Sequence, residues 1–340
     1  MLHRTVLWRH KADRIITFAL VTLVVALLLN LYARVDFHPL QLLWALFGLL
    51  IGTAEQFFFT GRVAQAPVWV QLLLRIALIP LIALSLVSAL LVLGVVPVVF
   101  EQAGITTVGQ LWTTRTGLVV NSLIVATAVI LFMEMERMVG TRTFRRFLTG
   151  RYVHPKRERI IVMFMDLADS TMWTEKLGDT RYYAMLNETF GRMAAPVLRS
   201  DAEILKYIGD EVIFTWSVPR GARDARCLDL YFDFHEAINH DRDHYQRTYG
   251  MVPRFRAGIH CGEVITSQVG TIKRMIDHSG DAMNTCARMV GAAKMLDTGM
   301  VVSEDLLAAM TVPERFKLGP STPVELRGKV LSVAVRPVTR

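Results

Sequence analysis

The chain has 340 residues, of which 52% are hydrophobic, and its mean hydropathy is +0.36. This is more apolar than a purely soluble chain of this size, and the length allows two or more domains. The net charge is +8, but no DNA-binding motif and no alternation of basic with aromatic residues accompanies it, so we exclude nucleic-acid partners.

Charge-free stretches dominate the N-terminal part of the chain. They cover residues 15–33, 39–54, 76–100 and 116–133. An apolar helix of about 18 or more residues can span a membrane. We therefore predict a membrane domain over residues 1–136 with four transmembrane helices, and the long third stretch leaves five open. A cleaved signal peptide fits the first stretch poorly, because no small-residue cleavage site follows it.

Basic residues flank these stretches unevenly. They are frequent in the first fourteen residues, occur at Arg62, and accumulate after residue 136. Since basic loops face the cytoplasm, we expect both termini to be cytoplasmic and the protein to lie in the plasma membrane. Residues 137–157 are expected to form a basic helical connector that contacts lipid headgroups. The membrane domain could bind a ligand or partner of its own, whose chemistry the sequence does not specify.

Strand and helix patterns alternate over residues 158–338. Such alternation predicts an α/β domain with helices packed on a central sheet. The predicted elements are a strand at 159–166, helices at 170–177 and 182–198, a hairpin at 203–216, a helix at 224–249, a strand at 255–265, a helix at 281–296, and late strands at 301–302, 324–326 and 331–338.

Two carboxylates lie at strand ends of this domain. Asp166 ends the first strand and is followed by LADST and a helix, whose free N–H groups could face phosphates. Asp210 follows Gly209 in the turn of the hairpin. Alone, Asp210 is an ordinary turn residue, and Asp169 or Ser170 an ordinary helix cap. Together, Asp166 and Asp210 could hold two metal ions.

Two further pairs share a face of their element. Lys206 and Asp210 are four residues apart in an extended segment, so their side chains point to the same side. Asn284 and Arg288 are four apart on a helix. An amide and a guanidinium on one face can bind ribose and phosphate oxygens, although alone they would suit any solvated helix face.

Five segments together resemble the catalytic domain of the class III nucleotide cyclases. In order they are FMDLADST, LKYIGDEVIF, RAGIHCGEV, VGTIKRMIDHSGDAMNTCARM and VELRGKV. The resemblance implies a ferredoxin-like βαββαβ core behind the transmembrane bundle. It implies that two Mg²⁺ or Mn²⁺ ions bind at Asp166, Leu167 and Asp210. It also implies that Lys206 and Asp277 read the purine.

The resemblance assigns the remaining site residues as well. Asn284 would orient the ribose, and Arg288 would stabilise charge on the reacting phosphate. The phosphate-binding residues would be Asp169, Ser170, Thr171 and one of Arg327 and Lys329. Two positions depart from the family pattern, since Asp169 stands where glycine is common and Ser170 where an aromatic residue is frequent. Asp169 would either add negative charge near the triphosphate or cap the helix.

The expected function is that of a membrane-anchored adenylate cyclase, active as a homodimer, that forms 3′,5′-cyclic AMP and pyrophosphate from ATP. Lys206 can donate to N1 of adenine and Asp277 can accept from N6, whereas guanine presents the opposite pattern. A non-catalytic or guanylate-selective signalling receptor is the alternative. A diguanylate cyclase is disfavoured, because the turn reads IGDEV rather than GGDEF. His260 is a candidate base by residue type, but on a strand it is expected to be structural.

Overall fold

The structure is a computed structural model, and it describes residues 2–32, 42–59, 63, 66–92, 124, 126–132, 134–136, 140–272, 274–324 and 332–340. The chain forms two compact units, Met1–Phe144 and Arg145–Arg340. Each unit is described by itself.

The first unit is helical. Its helices are α1 (Leu2–Tyr32), α2 (Leu43–Phe57) and α3 (Val68–Val92), and the described residues of segment 124–136 are also helical. Apolar side chains of all four segments form one core, among them Phe18, Ile51, Ile79 and Val129. Gly48 allows α1 and α2 to pack closely, because a Cβ there would lie 2.8 Å from the Ala19 Cα.

A buried ion cluster connects three of these helical segments. The Arg75 guanidinium donates to both carboxylate oxygens of Glu55, at 2.8 and 3.0 Å, and to Glu134 at 3.0 Å. Its carbon also lies 4.6 Å from the centre of the Phe59 ring. Paired in this way, the arginine can be buried without an uncompensated charge.

The helices of this unit overlap the predicted membrane spans but do not support a membrane crossing. α2 has 15 residues, which extend about 22 Å, less than the ~30 Å of a hydrocarbon core. Within the described ranges, no helix is long and apolar enough to cross a membrane. The prediction of four or five spans is therefore not supported for these residues. Residues 93–100 of the third predicted span and 116–123 of the fourth lie outside the described residues.

The second unit is built on one mixed sheet. The strands are β1 (Lys156–Leu167), β2 (Glu203–Ile208), β3 (Glu211–Ser217), β4 (Phe255–Val269), β5 (Met275–Ser279), β6 (Met300–Ser303), β7 (Lys317–Leu318), β8 (Thr322–Val324) and β9 (Val333–Thr339). Their order is β2-β3-β1-β4-β6-β9-β7, with β5 on β4 and β8 on β9. The first four strands pair antiparallel, in the order of a split βαβ core. This confirms the predicted α/β fold of the domain.

Helices cover both faces of the sheet. Alternate residues of β1 point to opposite sides, so Met163 and Met165 enter one core while Val162 and Phe164 enter another. The first core is closed by α5 (Ser170–Leu177), α6 (Asp179–Gly191), α9 (Arg226–His240) and α10 (Arg242–Tyr249), and the second by α11 (Asp281–Met295). The remaining short helices are α4 (Thr141–Leu148), α7 (Ala194–Ser200), α8 (Val218–Gly221) and α12 (Glu304–Leu307).

Candidate active site

Three carboxylates gather at one edge of the sheet. Asp166 is the penultimate residue of β1 and pairs with Glu211 of β3 on one side and Arg256 of β4 on the other. Asp210 precedes Glu211 in the β2–β3 turn, where Gly209 has a φ of +62°. A left-handed φ favours glycine, so the turn places Asp210 beside the end of β1.

The carboxylates repel one another. Burial raises the pKa of Asp166 to about 6, and the nearby Asp210 charge adds to the effect. Burial also raises the pKa of Glu211 to about 7, with Asp166 and Asp210 as further causes. Tyr182 is buried beside this group, and burial together with the Asp210 charge raises its pKa to about 12. A cation placed here would relieve this repulsion.

Asp166, Asp210 and Glu211 form what we call the carboxylate edge, and its chemistry fits the predicted metal ions. Asp210 Oδ2 is buried and has no hydrogen-bond partner among the described residues, so it remains available to a cation. Leu167 is buried and can contribute only its backbone carbonyl. No three His, Cys, Asp or Glu side chains in the described ranges are grouped tightly enough to hold a metal ion by themselves. Mg²⁺ commonly takes one or two carboxylates and completes its shell with water and substrate phosphates.

The loop after β1 places Asp169 in an unusual backbone conformation. Asp169 has φ 60° and ψ 33°, a left-handed conformation, and its side chain does not cap the helix. Capping was one of the two predicted roles, and it is wrong. Arg256 Nη1 lies 3.8 Å from Asp169 Oδ1 and offsets its charge. Ser170 and Thr171 open α5 at this loop.

The two predicted purine readers meet in the folded chain. Lys206 Nζ donates to Asp277 Oδ1 at 3.0 Å, although the residues are 71 positions apart. Their side chains are 31% and 33% exposed, so the pair is accessible to a ligand. Asp277 Oδ1 also accepts the backbone N–H of His278 at 3.0 Å.

Helix α11 presents Asn284 and Arg288 on its outer face. Asn284 is exposed and Arg288 half-buried, while Cys286 and Met289 between and beside them face the core. In the part of the chain that the structure describes, neither polar side chain forms a hydrogen bond or ion pair with Asp166. Burial raises the pKa of Asp166, and the positive charge that lowers it is that of Arg256.

The remaining predictions have mixed outcomes. Arg327 and Lys329 lie outside the described residues. His260 is buried on β4, and its Nδ1 lies 2.8 Å from the Ser303 hydroxyl, which in turn accepts the Leu306 N–H at the start of α12. These contacts agree with a structural role.

The sequence motifs do not single out Glu211, Arg256 or Tyr182. Glu211 lies inside the hairpin motif, and its position next to Asp210 is its only local signal. The proximity of Arg256 and Tyr182 depends on strand register and helix packing, for which the sequence offered no local signal.

Comparison with known proteins identifies the family of the chain. A family model described as "Adenylate and Guanylate cyclase catalytic domain" matches residues 152–335, more than half of the chain. The chain belongs to this cyclase family. The match confirms the predicted cyclase catalytic domain.

Two curated cyclases of Rhizobium meliloti (strain 1021) are similar to the chain. It is 35% identical to "Adenylate cyclase 2" over 62% of its own length and 58% of that protein, and 31% identical to "Adenylate cyclase 1" over 47% and 25%. The chain thus spans less than two thirds of these relatives. Its fold resembles the "Structure of a bacterial light-regulated adenylyl cyclase", with a TM-score of 0.54, 19% identity, and coverage of 64% of this chain and 63% of that chain.

Proposed function

We propose that the protein is an adenylate cyclase that converts ATP to 3′,5′-cyclic AMP and pyrophosphate. In this reaction the ribose 3′-oxygen bonds to the α-phosphorus, the bond from that phosphorus to the bridging oxygen of the β-phosphate breaks, and the 3′-hydroxyl proton is released. Membership in the cyclase family and the relatives called adenylate cyclases support the proposal. The 3.0 Å contact between Lys206 and Asp277 carries the choice of base.

The Lys206–Asp277 pair favours adenine by hydrogen-bond matching. An ammonium donates only and an ionised carboxylate accepts only. Adenine offers an acceptor at N1 and a donor at N6, so both protein groups find a partner. Guanine would put N1–H against the lysine and O6 against the aspartate, and each mismatch leaves a polar group unpaired.

The carboxylate edge would bind the divalent ions. Asp166, Asp210 and the Leu167 carbonyl would hold two Mg²⁺ or Mn²⁺ ions, which supply Lewis-acid activation of the 3′-hydroxyl and neutralisation of phosphate charge when bound. The N–H groups at Ser170 and Thr171 would face the phosphates, because they open a helix. Arg256, which faces Asp169, would keep the loop from repelling the triphosphate.

The residues on α11 would act on the ribose and the reacting phosphate. Asn284 would orient the ribose, so that the 3′-oxygen is in line with the bond that breaks. Arg288 would stabilise the charge that develops on the α-phosphate. One of Arg327 and Lys329 would bind the terminal phosphates.

A homodimer would complete the site. Neither Asn284 nor Arg288 forms a hydrogen bond or ion pair with the three carboxylates within the described residues, and on α11 Asn284 is exposed and Arg288 half-buried. If two chains pair by a twofold axis, the α11 face of one chain can meet the carboxylates of the other, and two equivalent sites form.

Attachment to a membrane stays a prediction from the sequence alone. It rests on the charge-free stretches and the basic connector, and it places both termini and the catalytic unit in the cytoplasm at the plasma membrane. Contact with anionic lipid headgroups and a separate ligand of the first unit belong to the same prediction.

Incubation of the purified protein with ATP or GTP and Mg²⁺ or Mn²⁺ tests the function, with the product identified by mass spectrometry. We expect cyclic AMP from ATP and far less cyclic GMP from GTP. Asp166→Ala should abolish the reaction while the protein still folds. Cyclic GMP as the main product, or no cyclic product with either metal, would overturn the proposal.

A further inference from the structure

A network of polar groups lies in the catalytic unit between Tyr152 and Asp277, and its last link is the backbone N–H of His278. It starts just after α4, at the base of the connector, and ends at the purine pair. Tyr152, Thr266 and His278 are all buried, with exposed fractions of 2%, 0% and 9%. Buried polar groups are costly unless they are hydrogen-bonded, so a network of this kind has a defined arrangement.

Glu158 on β1 is the residue of this network that accepts hydrogen bonds from the connector. The Tyr152 hydroxyl donates to Glu158 Oε2 at 2.8 Å, and Arg151 Nη2 donates to Oε1 at 3.0 Å. Burial alone would raise the pKa of Glu158, but hydrogen bonds from Tyr152, Arg151 and the Thr266 hydroxyl hold it below its usual value. Glu158 is therefore ionised, and it accepts hydrogen bonds from two side chains of the connector.

Thr266 is the network residue on β4, the strand that lies between β1 and β5. Its hydroxyl oxygen lies 2.7 Å from His278 Nδ1, and the two residues are paired across β4 and β5. Thr266 pairs with Lys156 across β4 and β1, which places it diagonally beside Glu158, and its hydroxyl lowers the pKa of that carboxyl. Burial, and then the Arg146 charge, lower the pKa of His278 to about 4, so the ring is neutral at physiological pH.

Asp277 is the last member of the network. Its Oδ1 accepts from the His278 backbone N–H and from Lys206 Nζ, each at 3.0 Å. Because Oδ1 is occupied twice, Oδ2 remains to accept from a ligand amine. The direction of Oδ2 depends on the backbone at residues 277 and 278, which the β4–β5 ladder holds and the bond between His278 and Thr266 supports.

We propose that Glu158, Thr266 and His278 are positioning residues that aim the Asp277 carboxylate at the purine, so that Tyr152 at the base of the connector influences base selectivity. The inference rests on the proposed function. It adds to that function a structural link between the connector and the purine of the substrate. A substitution that removes one hydrogen bond of this network would leave the metal site and α11 in place. Such a substitution should therefore change KM for ATP and the ATP-to-GTP preference more than it changes kcat.

Thr266→Val tests the network, because it removes the hydroxyl and keeps the shape. We expect KM for ATP to rise about three- to tenfold and the ATP-to-GTP ratio of kcat/KM to fall by a similar factor. Thr266→Ser restores a hydroxyl and should return both quantities toward wild type. Tyr152→Phe should act in the same direction with a smaller effect.

Matched controls separate positioning from general destabilisation. Thr189→Val removes the hydroxyl of another fully buried threonine, which donates to the Met185 carbonyl at 2.7 Å. Tyr249→Phe removes another tyrosine–glutamate bond, to Glu188 at 3.1 Å. Both controls should lower the melting temperature without changing the ATP-to-GTP ratio.

The outcomes distinguish this inference from the proposed function. A wild-type protein that makes no cyclic AMP overturns the function. An active wild type with unchanged KM and unchanged nucleotide ratio in Thr266→Val and Tyr152→Phe overturns the positioning role alone. If Thr266→Val does not fold, the other two variants decide. An altered ATP-to-GTP ratio of kcat/KM in Tyr152→Phe, together with a wild-type ratio in Thr266→Ser, supports the positioning role. Any other pair of results rejects it.

Discussion

The carboxylate edge sets a pH dependence at the scale of single residues. The pKa values of Asp166 and Glu211 in the folded protein, about 6 and about 7, lie above their ordinary 3.8 and 4.5. For acids with raised pKa values, the associated stability is fully present below the unfolded values and is lost as pH rises through the folded ones. The metal-free protein therefore loses stability from these groups as pH rises from their ordinary values of 3.8 and 4.5 to the folded values of about 6 and about 7.

Asp210→Asn should reduce this loss, because the Asp210 charge raises both pKa values. We expect the substitution to raise the melting temperature of the full chain in EDTA more at pH 8 than at pH 5. All other groups of the chain are common to both proteins, so the comparison isolates the carboxylates. Added Mn²⁺ should stabilise the wild type and have little effect on the variant. Equal shifts at both pH values would show that the carboxylates do not interact.

Base choice is the second property decided by individual side chains. Lys206→Glu removes the donor to adenine N1 and supplies an acceptor for guanine N1–H, and Asp277→Cys removes an acceptor that repels O6. Each mispaired polar group costs about 1–3 kcal/mol, so the double variant should shift the ATP-to-GTP preference by about 10²-fold. The measurement is kcat/KM for both nucleotides with Mn²⁺. An unchanged preference in a folded, active enzyme would mean that the pair does not touch the base.

At the scale of elements, glycines decide how closely α11 approaches the sheet. A Cβ at Gly258 of β4 would lie 2.6 Å from Met289 Cβ and 2.9 Å from the Cys286 carbonyl oxygen. Gly258→Ala therefore has to push α11 outward, at a cost of about 1–3 kcal/mol. Because Asn284 and Arg288 would move with the helix, we expect kcat to fall along with the melting temperature.

Gly291→Ala is the matched control for this prediction, since it lies on the same helix with nothing within 4 Å of the added Cβ. Alanine in a helix interior is favoured over glycine by about 1 kcal/mol, so this variant should be as active as wild type and slightly more stable. Comparable activity loss in both variants would argue against the close contact at Gly258 as the cause.

Local signals in the sequence predicted most elements of the catalytic unit. The β2–β3 hairpin follows from alternation and from Gly209-Asp210 in the turn. The predicted helix over 182–198 is instead two helices, Asp179–Gly191 and Ala194–Ser200. Pro196 explains the break, because it has no N–H and its ring collides with the carbonyl four residues earlier. The second helix can tolerate it in its first turn.

Contacts between distant residues could not be predicted from spacing. The pairing of Lys206 with Asp277 was expected only through the family resemblance, and it depends on how β5 folds back on β4. The positions of Glu158, Thr266 and His278 depend on register across three strands, where a shift by one residue would turn each side chain to the other face. No periodicity in the sequence specifies such a register by itself.

For the whole molecule, the decisive question is whether one chain holds a complete site. Asp166→Ala and Asn284→Ala should each be inactive alone. A heterodimer of the two variants contains one site with an intact carboxylate edge from one chain and an intact α11 face from the other. Heterodimers purified free of both homodimers should therefore have up to about half of the wild-type activity per chain, because one of their two sites is intact. The measurement is cyclic AMP production after co-expression and purification through two different tags. Homodimers of each variant, purified in the same way, provide the baseline. If tagged heterodimers form but produce no more cyclic AMP than this baseline, each chain builds its own site, and the outward face of Asn284 and Arg288 needs another explanation.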